Sequence, residues 1–477
     1  MNSGPKVLGR PFSRLLIASA IAATFPAHAN DAAEIEKLKA QIQELDQRLR
    51  ILDRKQEIVN DDVAAKQKAA AVVTASDKGF GIKSSDGQFE YRLRGLVHVD
   101  YRNFDGSAPA DTIYDGFLAR RIRPTFEGTV FGKYGFRFTP EFAESGDGTG
   151  TSGISQNRSR VIDAFVDARI DPSYSFRFGK FKPFVGLERL QSGSDIKFIE
   201  RSYVSNNILP NRDFGLSLYG EALDKTLNYA VGYFNGVRDG GENFTTQDEN
   251  NHKDFAARVF STPFAGTDSA LSGLGVGIAG TWSQDSNSNS LPSYKTPGQA
   301  YNFFAYTGAR SNGRRERIAP QAYYYKGSLG IIAEYAAVKQ DISNTAGTTT
   351  ANVTNSAWQL ATSYLLTGED ASFKGVKPYS PFKSGAEGGW GAFELVARYQ
   401  ENNIDSAAVT FANTANGYAL GAKTWGVGVN WYLNEASRFS FNLERTRFSD
   451  FKAGTSSTPV LRGDTENFAV ARYQLAF

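Results

Sequence analysis

Along most of the chain apolar and polar residues alternate one by one. In FEYRLRGLVHVDYRNF, Phe89 to Phe104, the residues Phe89, Tyr91, Leu93, Val97, Val99 and Tyr101 interleave with Glu90, Arg92, Arg94, His98, Asp100 and Arg102. A period of two is a strand pattern, because successive side chains of a strand point to opposite faces. One face is then apolar and the other rich in arginine. Comparable runs follow at Gly116 to Phe131, Phe136 to Ala143, Val161 to Ile170 and Tyr174 to Phe181, and continue to Glu466 to Phe477, so that sixteen strands are predicted. Their connections take turns: Gly132 to Gly135 and Asp171-Pro172 are tight, the stretch after Ala143 is long and glycine-rich, and a lengthy link from Thr367 to Trp390 is the exception.

An even number of antiparallel strands, with short turns at one end and long loops at the other, is the plan of an outer-membrane barrel. A soluble sandwich or propeller would share the alternation. It would not explain aromatic residues near strand ends, as at Phe136, Phe138, Tyr229, Tyr233, Trp425, Trp431 and Tyr473, where interfacial girdles belong. The last strand sets Phe477, Leu475, Tyr473, Ala471 and Ala469 on one face, and its terminal aromatic resembles the signal read by bacterial outer-membrane assembly machinery.

Before the strands the period changes. Ile35, Leu38, Ile42, Leu45, Leu49 and Leu52 are spaced three and four apart, an a/d seam among charged residues. A lone amphipathic helix is the plain alternative, but a seam this narrow suits a short coiled coil better than a globular core face. Ile at a with Leu at d would favour two strands in isolation, so the spacing does not deliver a trimer. The predicted fold is therefore all-β, a 16-stranded antiparallel transmembrane β-barrel with an N-terminal α-helical coiled coil.

Lys6, Arg10 and Arg14 precede an apolar run from Leu15 to Phe25 that ends in Ala27-His28-Ala29, the order of a secretory signal peptide cleaved after Ala29. The expected organisation is a signal peptide over 1–29, a coil over 30–68, a linker over 69–88 and a barrel over 89–477. Removing the leader lowers the 53 basic residues to 50, against 50 acids, so net charge says nothing about partners. Beyond the leader no apolar run approaches the ~20 residues of a membrane-spanning helix, so a membrane would be crossed by a closed barrel.

With the apolar face turned to lipid, the lumen is filled by subtraction. Its arginine ladder is Arg92, Arg94, Arg121, Arg123, Arg137, Arg177, Arg258, Arg398 and Arg472, with Glu90, Glu127, Glu141, Asp163, Asp167, Glu334 and Glu394 among the inward acids. Stacked guanidinium groups could replace water around a passing anion. The plainer reading is wall bracing between opposite charges, which we assign to about half of them. Between the fifth and sixth strands, Gly179 to Gly215 is long enough to fold inward, with a constriction at about 182–212. Lys180, Lys182, Arg189, Lys197, Arg201 and Arg212 would stand there with few acids nearby, and Ser194 to Arg201 could form a helical turn.

Within this segment GKFKPFVGLERL, IKFIERS and RDFGLSLYG resemble signature stretches of the phosphate-selective porins O and P, and DFAARVFSTPF, KGVKPYSPF and GGWGAFELVARY extend the resemblance over nearly the whole barrel. It implies a homotrimer in the bacterial outer membrane, among its lipid and lipopolysaccharide, selecting phosphate or phosphate polymers through a basic eyelet. The lysines of GKFKPF and the arginine of IERS match the motif; the remaining anion-coordinating set is not aligned by it. Other readings are a general or organic-anion porin, a tether between outer membrane and peptidoglycan, or a barrel phospholipase. The last needs an activated nucleophile, and only His98 and His252 survive processing, neither near a serine elbow. No cofactor is expected, nor a metal or nucleic-acid site, for there is no cysteine and no acidic loop with calcium-ligand spacing.

Overall fold

The computed structural model describes residues 29–106, 115–143, 159–242, 251–285, 291–300, 302–385, 388–456, 461 and 463–477. The expected signal peptide, apart from Ala29, and most of the glycine-rich connection after Ala143 lie outside the described residues. The chain divides into two units, 1–70 and 71–477. The first carries one helix, α1 (Ala29–Ala69). Its seam residues Ile35, Leu38, Ile42, Leu45, Leu49 and Leu52 are all exposed, at 51–64%. Pairs such as Arg48 with Glu44 and Arg50 with Asp46 flank the seam and, being exposed, contribute little to stability.

The second unit begins with a hairpin, β1 (Val72–Ser76) and β2 (Gly79–Lys83). Sixteen strands then form the barrel. The first nine are β3 (Glu90–Gly106), β4 (Gly116–Val130), β5 (Tyr134–Glu141), β6 (Arg160–Asp171), β7 (Tyr174–Phe181), β8 (Asp213–Ala222), β9 (Leu227–Phe234), β10 (Asp254–Ser261) and β11 (Leu274–Asp285). A two-stranded ribbon, β12 (Ser293–Lys295) and β13 (Asn302–Ala305), interrupts the series inside a long connection. The barrel resumes with β14 (Ala309–Lys326), β15 (Leu329–Asn344), β16 (Thr350–Leu365), β17 (Ala392–Asn403), β18 (Gly421–Tyr432), β19 (Ser437–Ser449) and β20 (Thr465–Ala476). Each pairs antiparallel with the next, and β20 returns to β3 to close the wall.

The sixteen expected strands are all present, and burial is inverted relative to a water-soluble protein. Val99, Tyr101, Phe117, Trp282, Trp425 and Phe441 are exposed on the outside, whereas Asp100, Arg317, Gln400, Asn442 and Arg472 are buried inside. An apolar exterior suits a hydrocarbon solvent. Two features differ from the sequence reading. The segment expected as a linker folds into the β1–β2 hairpin, because β3 is 17 residues long and outreaches β20; β2 pairs with its overhang, Phe80 opposite Leu93 and Lys83 opposite Glu90, and covers an edge that would otherwise be open. Strands β14, β15 and β16 also run 16 to 18 residues, and their inner face stays buried to the far end, where Val338, Ile342 and Val353 join the apolar cluster inside the barrel.

The seam is held by charge. Asp100 of β3 accepts from Arg472 of β20 at 2.6 and 2.7 Å, and from Arg102 at 2.8 Å, all three side chains being buried. Replacing one member strands the others without a counter-charge. Asp100→Asn should therefore destabilise the barrel by about 3–5 kcal/mol, read as a lower urea midpoint for unfolding in lipid vesicles; an unchanged midpoint would remove the seam from the stability argument.

Candidate functional site

The segment between β7 and β8 is bonded to inward side chains of the wall, and its local structure differs from the sequence reading. Ser194 to Arg201 is not helical; the helical pieces are a single turn at Leu187–Leu190 and a π-type turn at Val204–Ile208. The wall supplies the reason, since inward side chains bind the loop backbone directly. Arg438 donates to the Ile196 carbonyl, Asn430 to Lys197, Arg472 to Ile199 and Arg398 to Glu200, at 2.7 to 3.2 Å. Asn442 accepts from the Ile199 N–H and Glu334 from Leu187 and Glu188. With its carbonyls engaged by the wall, this stretch has no use for helical hydrogen bonds. On the far side Val185, Tyr203, Val204, Ile208 and Leu209 pack in an apolar cluster with Phe303, Phe304, Ala336 and Val338.

One acid pins the loop to the seam. Glu200 pairs with Arg102 at 2.6 Å and Arg120 at 2.6 Å, and lies 3.6 Å from Arg472. Arg120 was missed by strict alternation, which turns it to lipid. A bulge opposite His98 and Val99 skips it in the register, so Arg120 and Arg121 both reach inward. Arg121 donates to Nδ1 of His98 at 3.0 Å, so Nε2 carries the proton and donates to Gln474 at 2.8 Å. Both ring nitrogens are thus engaged, and neither serves a nucleophile.

The six constriction residues divide into two groups. Lys180 pairs with Glu242 at 3.3 Å, Lys197 with Glu394 at 3.2 Å and Arg212 with Asp163 at 2.9 Å. Lys182, Arg189 and Arg201 instead reach carbonyls and amides: Lys182 and Arg201 both donate to the Gln191 carbonyl at 2.8 Å, and Arg189 bonds Ser205, Asn206 and Asn211. Among the described residues none of these three has a carboxylate in ion-pair range. Burial, then the charges of Arg201 and Arg212, holds Lys182 well below the ordinary lysine range. Burial and neighbouring arginines also lower Arg189 and Arg201, though guanidinium stays protonated at neutral pH.

The ladder is more braced than the expected half. Arg92 pairs with Glu90, Arg94 and Arg137 with Glu127, Arg123 with Glu141, Arg177 with Asp167, Arg398 with Glu444 and Arg472 with Asp100. Arg398 and Arg472 point inward but are sealed beneath the loop, so they do not line water-filled space. Arg121 bonds only His98 in the described contacts, and Arg258 donates to Gln321 at 3.0 Å over the Phe260 ring.

Among the described residues, two chambers inside the barrel are bounded by the inserted segment. A cavity of about 740 Å³ towards the short-turn end is lined by Arg94, Arg123, Arg137, Arg177, Lys182, Arg212 and Arg258. Another of about 260 Å³ towards the long loops is lined by Arg120, Arg121, Arg123, Arg189, Arg201 and Arg212, among others. Arg123 and Arg212 belong to both walls. The larger chamber also has aromatic walls at Phe165, Phe181, Phe184 and Tyr219, with Arg177 4.1 to 5.5 Å from their ring centres.

A closed sixteen-stranded barrel with an apolar exterior, a charged interior and a loop folded into it is an outer-membrane porin, a channel and not an enzyme. The chain belongs to the family of phosphate-selective porins O and P, whose model matches residues 89–477. Porin O of Pseudomonas aeruginosa is 24% identical over 398 residues, which cover 78% of this chain and 86% of that protein. The outer membrane channel DcaP of Acinetobacter baumannii superposes with a TM-score of 0.52 at 11% identity, over 84% of this chain and 99% of that one. An anion-selective porin from Comamonas acidovorans gives a TM-score of 0.48 at 14% identity, over 82% of this chain and 100% of that one. At 11% identity the likeness to DcaP is one of fold.

Burial opposes ionisation of Glu200, but Arg120 and Arg102 outweigh it and hold the carboxyl well below its ordinary range. A depressed carboxylate contributes stability that is fully present above its unfolded value, ~4.3, and is lost as pH falls through the folded one. Single-channel conductance should therefore stay uniform from neutral pH to about pH 4, whereas Glu200→Gln should broaden it at every pH. A variant as uniform as the parent would show that the apolar cluster alone holds the loop.

Proposed function

We propose that the protein is a passive diffusion channel selective for anions, and that its preferred solutes are phosphate, pyrophosphate or polyphosphate. The observation that carries this reading is the placement of Lys182, Arg189 and Arg201, cations without carboxylate partners among the described residues, along the walls of the two chambers. Their donors are held by neutral carbonyls and amides, so a dehydrating anion can take over bonds without breaking an ion pair. Guanidinium suits phosphate oxygens in particular, since its fork matches them in pairs. Arg123 and Arg212, neutralised by Glu141 and Asp163, would set the width between the chambers, and most of the ladder would brace the wall.

The test is conductance in chloride titrated with phosphate and polyphosphate. Lys182→Gln or Arg201→Gln should raise the half-blocking phosphate concentration roughly tenfold, as loss of one charge-assisted hydrogen bond of ~1.5 kcal/mol requires, while Arg137→Gln should change it less than about twofold. An anion-to-cation permeability ratio near one would overturn the reading. The aromatic wall around Arg177 favours a second one, in which an organic anion carrying an apolar body is preferred; stronger block by an aromatic carboxylate than by phosphate would select it.

A homotrimer is the assembly that family membership suggests, and the exposed seam of α1 is a surface on which three copies could meet. Deleting Asp31 to Lys68 should then lower the temperature at which trimers dissociate in detergent. Unchanged dissociation with a detached envelope would favour the tether instead. Export through a leader cleaved after Ala29 completes the proposal, and would be read from the N-terminus of the mature protein.

A further inference from the structure

The outer face of β18 and β19 changes chemistry abruptly towards the long-loop rim. On β19 the lipid-facing Phe439, Phe441 and Leu443 give way to Arg445 and Arg447, and on β18 Val429, Val427 and Trp425 give way to Lys423, all of them exposed. The register sets Lys423 opposite Arg447 and Trp425 opposite Arg445. Facing Cβ atoms lie about 5 Å apart and same-face neighbours on one strand about 7 Å, so three cationic heads share one small patch. Like charges placed opposite one another destabilise a sheet, so strand pairing gives no reason for the arrangement.

Compensation within the wall is thin. Glu401 lies 3.8 Å from Lys423 and also accepts from the Tyr399 hydroxyl at 2.6 Å. Among the described residues Arg445 and Arg447 have no carboxylate in ion-pair range, and the nearby outward acid Asp105 is bonded by Asn467. The rim of β14 and β15 contrasts with this, since Lys339 stands opposite Glu316, itself 3.9 Å from Arg314. A concentrated positive charge at the upper edge of an apolar wall fits an amphiphile with an anionic head.

We propose that Lys423, Arg445 and Arg447 bind the phosphorylated headgroup of an outer-leaflet glycolipid, whose acyl chains lie over Trp425, Val427, Leu443 and Phe441. This rests on the outer-membrane reading: long loops mark the external side of such barrels, so the patch stands at the level of the outer leaflet's headgroups. Guanidinium forks pair with phosphate oxygens two at a time, and the apolar residues beneath continue the lipid-facing band. The patch faces away from the lumen, so the site is separate from the transport path.

The test compares the full-length protein with its Lys423→Gln, Arg445→Gln, Arg447→Gln triple variant in detergent. Both are titrated by native mass spectrometry with bis-phosphorylated lipid A, with its dephosphorylated form and with phosphatidylglycerol. The parent should prefer phosphorylated lipid A, and the variant should bind it roughly tenfold to a hundredfold more weakly, with no difference for the dephosphorylated form. Equal binding by the variant would overturn the proposal, as would a preference for phosphatidylglycerol. A changed oligomeric state with lipid affinity intact would also overturn it, placing a second copy on the patch. Conductance recorded in parallel should match between the two proteins; a parent that binds lipid but conducts nothing would refute the channel reading and leave this one standing.

Discussion

Glu200 stands where two structural problems meet. The barrel must close by pairing its last strand with its first, and the loop after β7 must fill part of the interior without blocking it. Arg102 and Arg120 come from the first two barrel strands and Arg472 from the last, and all three converge on this one loop carboxylate. Arg102 and Arg472 are buried, Arg120 is largely so, and each would be costly alone. Closing the seam and docking the loop therefore use the same charges, and neither is complete without the other.

That arrangement divides the arginines by role. Where the loop covers the wall, Arg398, Arg438 and Arg472 spend their donors on its carbonyls and on acids nearby. Where the wall stays wet, most arginines face a carboxylate on the same or a neighbouring strand, as Arg137 faces Glu127 and Arg177 faces Asp167. The positive excess is left on the loop itself, at Lys182, Arg189 and Arg201, and at Arg121 on the wall. The wall's arginines are thus largely paired, and cations without a carboxylate partner among the described residues sit mainly on the inserted segment.

The exterior follows the logic of its solvent. Trp282, Trp425 and Phe441 are exposed to an apolar medium and cost nothing there, whereas the hairpin beneath β3 covers an edge that would face water. The extensions of β14 to β16 keep one face buried, because Ile342 and Val353 pack into the apolar cluster inside the barrel.

The sixteen strands, their order and their inward and outward faces were legible from residue alternation, because lipid outside and water inside impose opposite chemistry on neighbouring positions. The helix over the N-terminal heptads was legible for the same kind of reason, from a period near 3.5. Arg120 was not, since a one-residue bulge cancels the parity on which the reading depends. The role of Glu200 was invisible, because its three partners lie 80 to 272 positions away and meet only through closure. The course of Ser194 to Arg201 was misread, since its backbone bonds go to wall side chains from distant strands. Apart from Arg120, sequence alone determined which strand residues face inward; only the tertiary structure decided which inward cations are neutralised, because pairing depends on register, bulges and the path of the inserted loop.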